Sequence, residues 1–190
     1  MKINLYDFDK TIYDGDSSVD FIVYCLSYYP KLYFQVPGVV LAALKYALHI
    51  TDKTAMKERI FKFVKYIPDI DKMVDSFWKT HKCYIKDFYM KKKHDKDIII
   101  SASPEFLLKP ICDELGVMDM MASRIDKKTG KYNGMNCHGE EKVNRLNKKY
   151  KDYVVMESYS DSKVDIPILK LAKKAFYVKG NKLIPAKFDN

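Results

Sequence analysis

Two aspartates separated by one phenylalanine, Asp7 and Asp9, close a short apolar run near the start of the chain. A carboxylate can attack phosphorus and form an acyl phosphate, which divides one hard displacement into two easier ones. A second carboxylate two residues on can protonate the leaving oxygen and then activate water. Paired carboxylates also hold Mg2+, a hard cation that wants oxygen ligands and keeps waters. Further along stand Ser101-Ala102-Ser103, then Lys142, then Asp161 with Asp165. Metal, lysine and hydroxyl together neutralise charge on a transferring phosphoryl group. The bland alternative is a chance set of solvated acids and lysines.

Such residues can act together only if the fold gathers them. Ile3 to Phe8 reads as a strand ending at Asp7-Phe8-Asp9. Asp14-Gly15-Asp16 is a turn signal, and Ser17 or Ser18 can cap the next helix. From there to about His94 the pattern is helical. Val19, Ile22, Val23 and Leu26 share one face; Val40, Ala43, Leu44, Ala47 and Leu48 form a second stripe. A third stripe is Met56, Ile60, Phe63, Val64 and Ile67, opposite Lys57, Glu58, Lys62 and Lys65. After the capping residue Asp69 come Ile70, Met73, Val74, Phe77, Trp78, His81 and Ile85, also at helical spacing.

Then the texture changes. Ile98-Ile99-Ile100 is a fully apolar strand that ends at Ser101-Ala102-Ser103. Ser103-Pro104 reads as cap and first position of a helix that stops at Gly116. Met121 to Met135 reads as a hairpin turning near Thr129-Gly130, followed by a helix from about Glu140 to Tyr150. Tyr153 to Met156 is a strand, Pro167 to Lys173 a helix, and Ala175 to Val178 a last strand.

Strands alternating with helices predict an α/β fold, a Rossmann-like parallel sheet covered on both faces. The expected core is residues 1–13 with 95–190, and 14–94 is an inserted four-helix cap. In such sheets ligands bind at the carboxyl ends of the strands. Asp7, Ser101 and Asp161 all fall at such ends, so one cleft can collect them.

Bulk properties fit this reading. The chain has 190 residues, of which 47% are hydrophobic, enough for one core and an appended module. A net charge of +9 favours anionic partners. No nucleic-acid module is recognisable, and Lys91-Lys92-Lys93-His94 reads as a solvated helix end, so no nucleic acid is expected. The four cysteines are far apart and suit buried, reduced thiols. The first residues enter a strand without signal-peptide anatomy, so the expected location is the cytoplasm.

Asp7-Phe8-Asp9-Lys10-Thr11, then Ser101, Lys142, and Asp161 with Asp165, resemble the four ordered motifs of the haloacid dehalogenase superfamily phosphatases. The resemblance implies Asp7 as nucleophile and metal ligand, and Asp9 as acid/base with its backbone carbonyl on Mg2+. It implies Ser101, Ala102 and Lys142 around the phosphoryl oxygens, and Asp161 on the metal. Asp165 would support a metal-bound water or orient Lys142, or else serve the helix that follows it; Thr11 would brace the loop. Asp9 further implies ester hydrolysis, because relatives that cleave carbon–halogen or carbon–phosphorus bonds lack an aspartate there. Lys10 stands where glycine is frequent.

A helical insertion between the first two motifs resembles subfamily IB, with its C1-type cap. Phosphoserine phosphatase belongs there, but Ser101-Ala102-Ser103-Pro104 replaces the paired glycines expected after its motif serine. Cys137-His138-Gly139-Glu140-Glu141-Lys142-Val143 and Tyr159 to Pro167 are more similar to phosphatidylglycerophosphatase C, which acts on a lipid head group. Tyr28 to Phe34 and Val36 to Leu48 match the apolar first half of that cap. They read either as bundle core or as a lipid-facing surface in peripheral contact with a membrane. The expected substrate is thus a phosphorylated small molecule or a phospholipid head group. A small-metabolite phosphatase, a phosphotransferase and a non-catalytic phosphate-binding module on the same core are the alternatives.

Overall fold

The first strand, β1 (Lys2–Tyr6), sends successive side chains to opposite faces of the sheet. Ile3 and Leu5 point into one apolar layer; Tyr6 points into the other and stacks on Tyr159 at 4.5 Å. The computed structural model describes residues 1–188. In it β1 lies at the centre of a six-stranded sheet of order β3-β2-β1-β4-β5-β6. The others are β2 (Asp97–Pro104), β3 (Asp119–Ser123), β4 (Val154–Ser160), β5 (Ala172–Lys179) and β6 (Lys182–Pro185). All pairings are parallel except the terminal β5–β6 hairpin. The α/β, Rossmann-like class expected from the alternation is the one observed.

Between β1 and β2 run α1 (Ser17–Tyr28), α2 (Val36–Ala47), α3 (Lys53–Phe61), α4 (Ile70–His81) and the short α5 (Asp87–Lys92). After β2 come α6 (Glu105–Leu115), α7 (Glu140–Lys149) and α8 (Ile166–Leu169). Leu146 of α7 and Ile168 of α8 pack on Ile3, Leu5, Ile98 and Ile100. The larger cluster on the opposite face joins the sheet to the helical block. Phe77 and Trp78 of α4 meet Phe8, Tyr13 and Phe21, and the Trp78 indole N–H donates to the Leu107 carbonyl at 2.6 Å. Gly130 (φ 73°) adds a second tie: a Cβ there would sit 2.4 Å from the Phe61 carbonyl oxygen, so only glycine permits this approach.

Several local expectations need correction. Asp16, not Ser17 or Ser18, caps α1, accepting the Val19 N–H at 3.1 Å; its extended backbone suits the role, and Ser17 is already helical. Ser103 does not cap α6, because β2 continues through Pro104 and the Ser103 hydroxyl turns to Asp9. The hairpin expected over 121–135 is shorter: residues 121–123 belong to β3, which pairs parallel with β2. The turn near Thr129-Gly130 closes a small hairpin held by the Ile125–Tyr132 bridge and by the Asp126 and Asn133 N–H groups, which donate to the Lys131 and Arg124 carbonyls. Met121, Ala122 and Ser123 are buried, so period-two alternation could not reveal the strand. The helix over 167–173 ends at Leu169, and β5 starts at Ala172; β6 was not expected at all. Cys83 is exposed, unlike Cys25, Cys112 and Cys137, which are buried; all four are free.

Candidate active site

The turn after β1 builds the centre. Asp7 follows the last residue of the strand, and its N–H is held by the Tyr159 carbonyl at 2.9 Å. Phe8 points down into the aromatic core, so Asp7 and Asp9 project to the same open side. Lys10 takes a left-handed conformation (φ 58°), donates its N–H to Gly15 and accepts from the buried ammonium of Lys86. That conformation costs a residue with a Cβ about 1–2 kcal/mol, and it explains why glycine is the easier choice there.

Lys142 lies in the first turn of α7 and is only 2% exposed. Its ammonium donates to Asp7 Oδ1 at 2.7 Å and to Asp165 Oδ2 at 2.8 Å. Burial disfavours the charge on Lys142, but Asp7 and Asp165 outweigh it and hold its pKa above the usual lysine value. Asp165 also accepts from the Ser160 hydroxyl at 2.7 Å and makes no side-chain cap to α8. It engages Lys142 and leaves the helix N–H groups alone.

Thr11 links two strand ends. Its hydroxyl lies 3.5 Å from Asp7 Oδ2 and accepts the Asp161 N–H at 2.9 Å. Asp9 Oδ1 accepts the Ser17 N–H at 2.7 Å, at the start of α1, and its other oxygen accepts the Ser103 hydroxyl. Burial, then the charge of Asp16, raises the Asp9 carboxyl above the usual range, against those two donors. Ser101, 1% exposed in the second half of β2, accepts the Ser103 N–H at 3.1 Å through its hydroxyl. The Ala102 carbonyl faces the helical block and accepts from Lys57 at 3.1 Å.

Asp7, Asp9, Ser101, Ala102, Lys142, Asp161 and Asp165 all line one cleft of about 400 Å³; Thr11 lies beneath it. Burial raises the carboxyls of Asp7, Asp9 and Asp161. Lys142 is the one ammonium bonded to the acids of this group among the described residues. This excess of buried carboxylate suits a cation. No three carboxylate, imidazole or thiol groups among the described residues form a ready-made metal cage. An ion here would therefore keep waters and a backbone carbonyl in its shell, which is the habit of Mg2+.

Sequence reading missed four contributors. Ser17 and Ser103 fix Asp9, and Lys53 and Lys57 of α3 face the cleft with His138. The sequence pattern puts Lys57 opposite the apolar stripe of its helix. In the structure α3 borders the cleft, and Lys53 and Lys57 are half-buried against it, while Lys62 and Lys65 are exposed as expected. The spacing of Lys53 and Lys57, one helical turn, was the available signal.

Residues 5–170 match the haloacid dehalogenase-like hydrolase family, and the chain belongs to it. A histidinol-phosphatase of Neisseria meningitidis serogroup C (strain 8013) is 29% identical over 92 residues, 42% of this chain and 41% of that protein. The match thus spans about two fifths of that relative's length. A protein of unknown function from Bordetella pertussis Tohama I superposes with a TM-score of 0.76 at 16% identity, over 93% of this chain and 89% of that one. A phosphoserine phosphohydrolase-like protein from Francisella tularensis subsp. tularensis SCHU S4 gives 0.55 at 15% identity, over 93% and 87%. A phosphoserine phosphatase in apo form gives 0.54 at 17%, over 92% and 84%. At such identities these structures share the fold.

Proposed function

We propose that this protein is a Mg2+-dependent phosphomonoesterase that works through an aspartyl-phosphate on Asp7. One observation carries the reading: the ends of β1, β2 and β4 and the start of α7 bring Asp7, Asp9, Ser101, Lys142 and Asp161 to a single cleft. A carboxylate oxygen of Asp7 attacks phosphorus while the ester P–O bond breaks. Asp9, whose raised carboxyl suits an acid, gives its proton to the departing alkoxide, releasing an alcohol. Asp9 then takes a proton from water, whose oxygen attacks the same phosphorus. The P–O bond to Asp7 breaks, freeing inorganic phosphate and regenerating the carboxylate. Ser101, the backbone at Ala102 and Lys142 hold the phosphoryl oxygens, and Asp165 and Ser160 orient Lys142. Asp7, Asp161 and the Asp9 carbonyl would hold Mg2+, which supplies positive charge beside the transferring group.

Residues 14–94 act in this reading as a cap over a core of 1–13 and 95–190. The test is phosphate release from a panel of phosphomonoesters, with and without chelator. Release that needs Mg2+ is expected; equal release in chelator contradicts the metal's role, and release onto an alcohol acceptor points to phosphotransfer.

A lipid substrate has its own support. α2 buries none of its side chains, and Val40, Leu41, Leu44 and Leu48 are all more than half exposed. Tyr33 and Phe34, just before α2, are exposed as well, and clustered exposed apolar side chains are a mark of contact surfaces. No helix among the described residues is long and apolar enough to cross a membrane, so contact would be peripheral. Replacing Leu41 and Leu44 with Asp should cut turnover of a micellar phospholipid ester more than that of a small soluble one. Equal losses would sink the lipid reading.

A further inference from the structure

The cleft that holds Asp7 also carries positive charge that the proposed hydrolysis does not use. Lys53 and Lys57 lie one turn apart on α3, and both line the cleft. Lys53 Nζ is 3.0 Å from His138 Nε2, a contact between two groups that can each be cationic. Lys57 Nζ reaches the Ala102 carbonyl at 3.1 Å and Asn136 Oδ1 at 3.5 Å, both neutral acceptors. Neither lysine forms an ion pair among the described residues, although most other buried or half-buried charges here have one. Of the acids that share the cleft, Asp16 caps α1, Asp9 takes Ser17 and Ser103, and Asp7 and Asp165 take Lys142; Asp161 has no side-chain partner among the described residues, and neither lysine is paired with it.

Unpaired cations held close together in a half-closed space repel one another. Burial and the neighbouring Lys53 push Lys57 down to about 8, and burial and Lys53 also lower His138. An anion between them relieves both costs. The wall beside them is apolar, from Ile22, Met56 and Ile60. The scissile phosphoryl group already has Ser101, Lys142 and the candidate metal site.

We propose that Lys53, Lys57 and His138 form a second anion subsite, so that the preferred substrate is a phosphomonoester bearing another anionic group a few atoms from the phosphate. The inference rests on the phosphatase reading for the position of the ester. The second anion can be a carboxylate or a phosphodiester, since both offer oxygens to lysine. A phosphodiester would place a phospholipid head group across the cleft; a carboxylate would mean a small organic acid.

The test uses equilibrium binding on the Asp7→Asn protein with Mg2+ present, where hydrolysis is blocked, and turnover on the unaltered protein. The probes are glycerol 3-phosphate, 3-phosphoglycerate and glycerophosphoglycerophosphate. At least one doubly anionic probe should bind about tenfold or more tightly than glycerol 3-phosphate, the scale of a charge-assisted contact. Which of the two does so identifies the second group. The gap should close in K53Q/K57Q and narrow in K53Q alone, which guards against misfolding at the more enclosed Lys57. In turnover, the advantage should shrink through KM. No gap in the parent protein, or equal loss for all three probes, overturns the subsite and returns the lysines to the scissile phosphate. A parent protein inert toward all esters would instead defeat the phosphatase reading, and the binding gap would still decide this one.

Discussion

Lys142 should be the most stability-critical side chain of the site. It is 2% exposed and lies within 2.8 Å of two carboxylates that are themselves buried, Asp7 and Asp165. Methionine at this position keeps the length of the stem and removes the charge. The two carboxylates would then face each other without a counter-ion. Breaking a buried ion pair by removing one partner costs about 3–5 kcal/mol. For a chain of this size each kcal/mol moves Tm by about 2–4 °C, so Lys142→Met should lower Tm by about 6–20 °C. The measurement belongs in chelator, so that no divalent ion substitutes for the ammonium. Asp7→Asn removes one of two acids and leaves Lys142 with Asp165, so it should cost much less. The double variant should recover part of the Lys142→Met loss, with a coupling of about 0.5–3 kcal/mol. If Lys142→Met costs less than about 1 kcal/mol, the value of an exposed pair, the ammonium is effectively solvated and this electrostatic argument fails.

Three further outcomes are expected. Asp9→Asn should fold normally and lose about 10²–10⁴ in kcat on an alkyl phosphate. It should lose distinctly less on p-nitrophenyl phosphate, whose leaving group needs no proton; equal losses would argue against an acid role. Lys10→Gly relieves a left-handed backbone (φ 58°) and should raise stability by up to about 1–2 kcal/mol in urea unfolding, whereas a loss would show that the Lys10 side chain matters more than its backbone. Asp97 is buried, with its carboxyl raised by burial despite the His94 N–H and the Asn4 amide that it accepts. A raised acid favours the folded state fully below its unfolded pKa of about 4, and that contribution is lost as pH rises through the folded pKa. Asp97→Asn, to which the Asn4 amide can adapt by flipping, should therefore gain stability relative to the parent as pH rises above about 4. A parallel pair of stability–pH curves would contradict this.

The parts of the fold that read clearly in the sequence are those whose physics is local. β1 alternates and ends in its acids, Asp69 caps α4, and Gly116 ends α6 in the left-handed region. The six acidic, hydroxyl and lysine positions of the cleft were legible because they fall at or near the ends of strands and helices, where an open sheet gathers its ligands, although β2 runs three residues past Ser101. What failed was set by tertiary context. β3 is buried in the sheet and lacks alternation, so it passed for a hairpin arm. β2 runs on through Pro104 because the Ser103 hydroxyl is taken by Asp9, a partner 94 residues away. Lys57 looked like a solvated flank, since nothing in its own helix says that α3 borders the cleft.

The aspartyl-phosphate mechanism requires that Asp7 accept the phosphoryl group. It is tested most directly by acid-quenching the protein during turnover with Mg2+ and a phosphomonoester, then locating the modification by peptide mass spectrometry. A phosphoryl group on the peptide containing Asp7, labile to hydroxylamine and absent in Asp7→Asn, is the predicted result. Steady turnover with no acyl phosphate under these conditions, or undiminished phosphate release by Asp7→Asn, would contradict it.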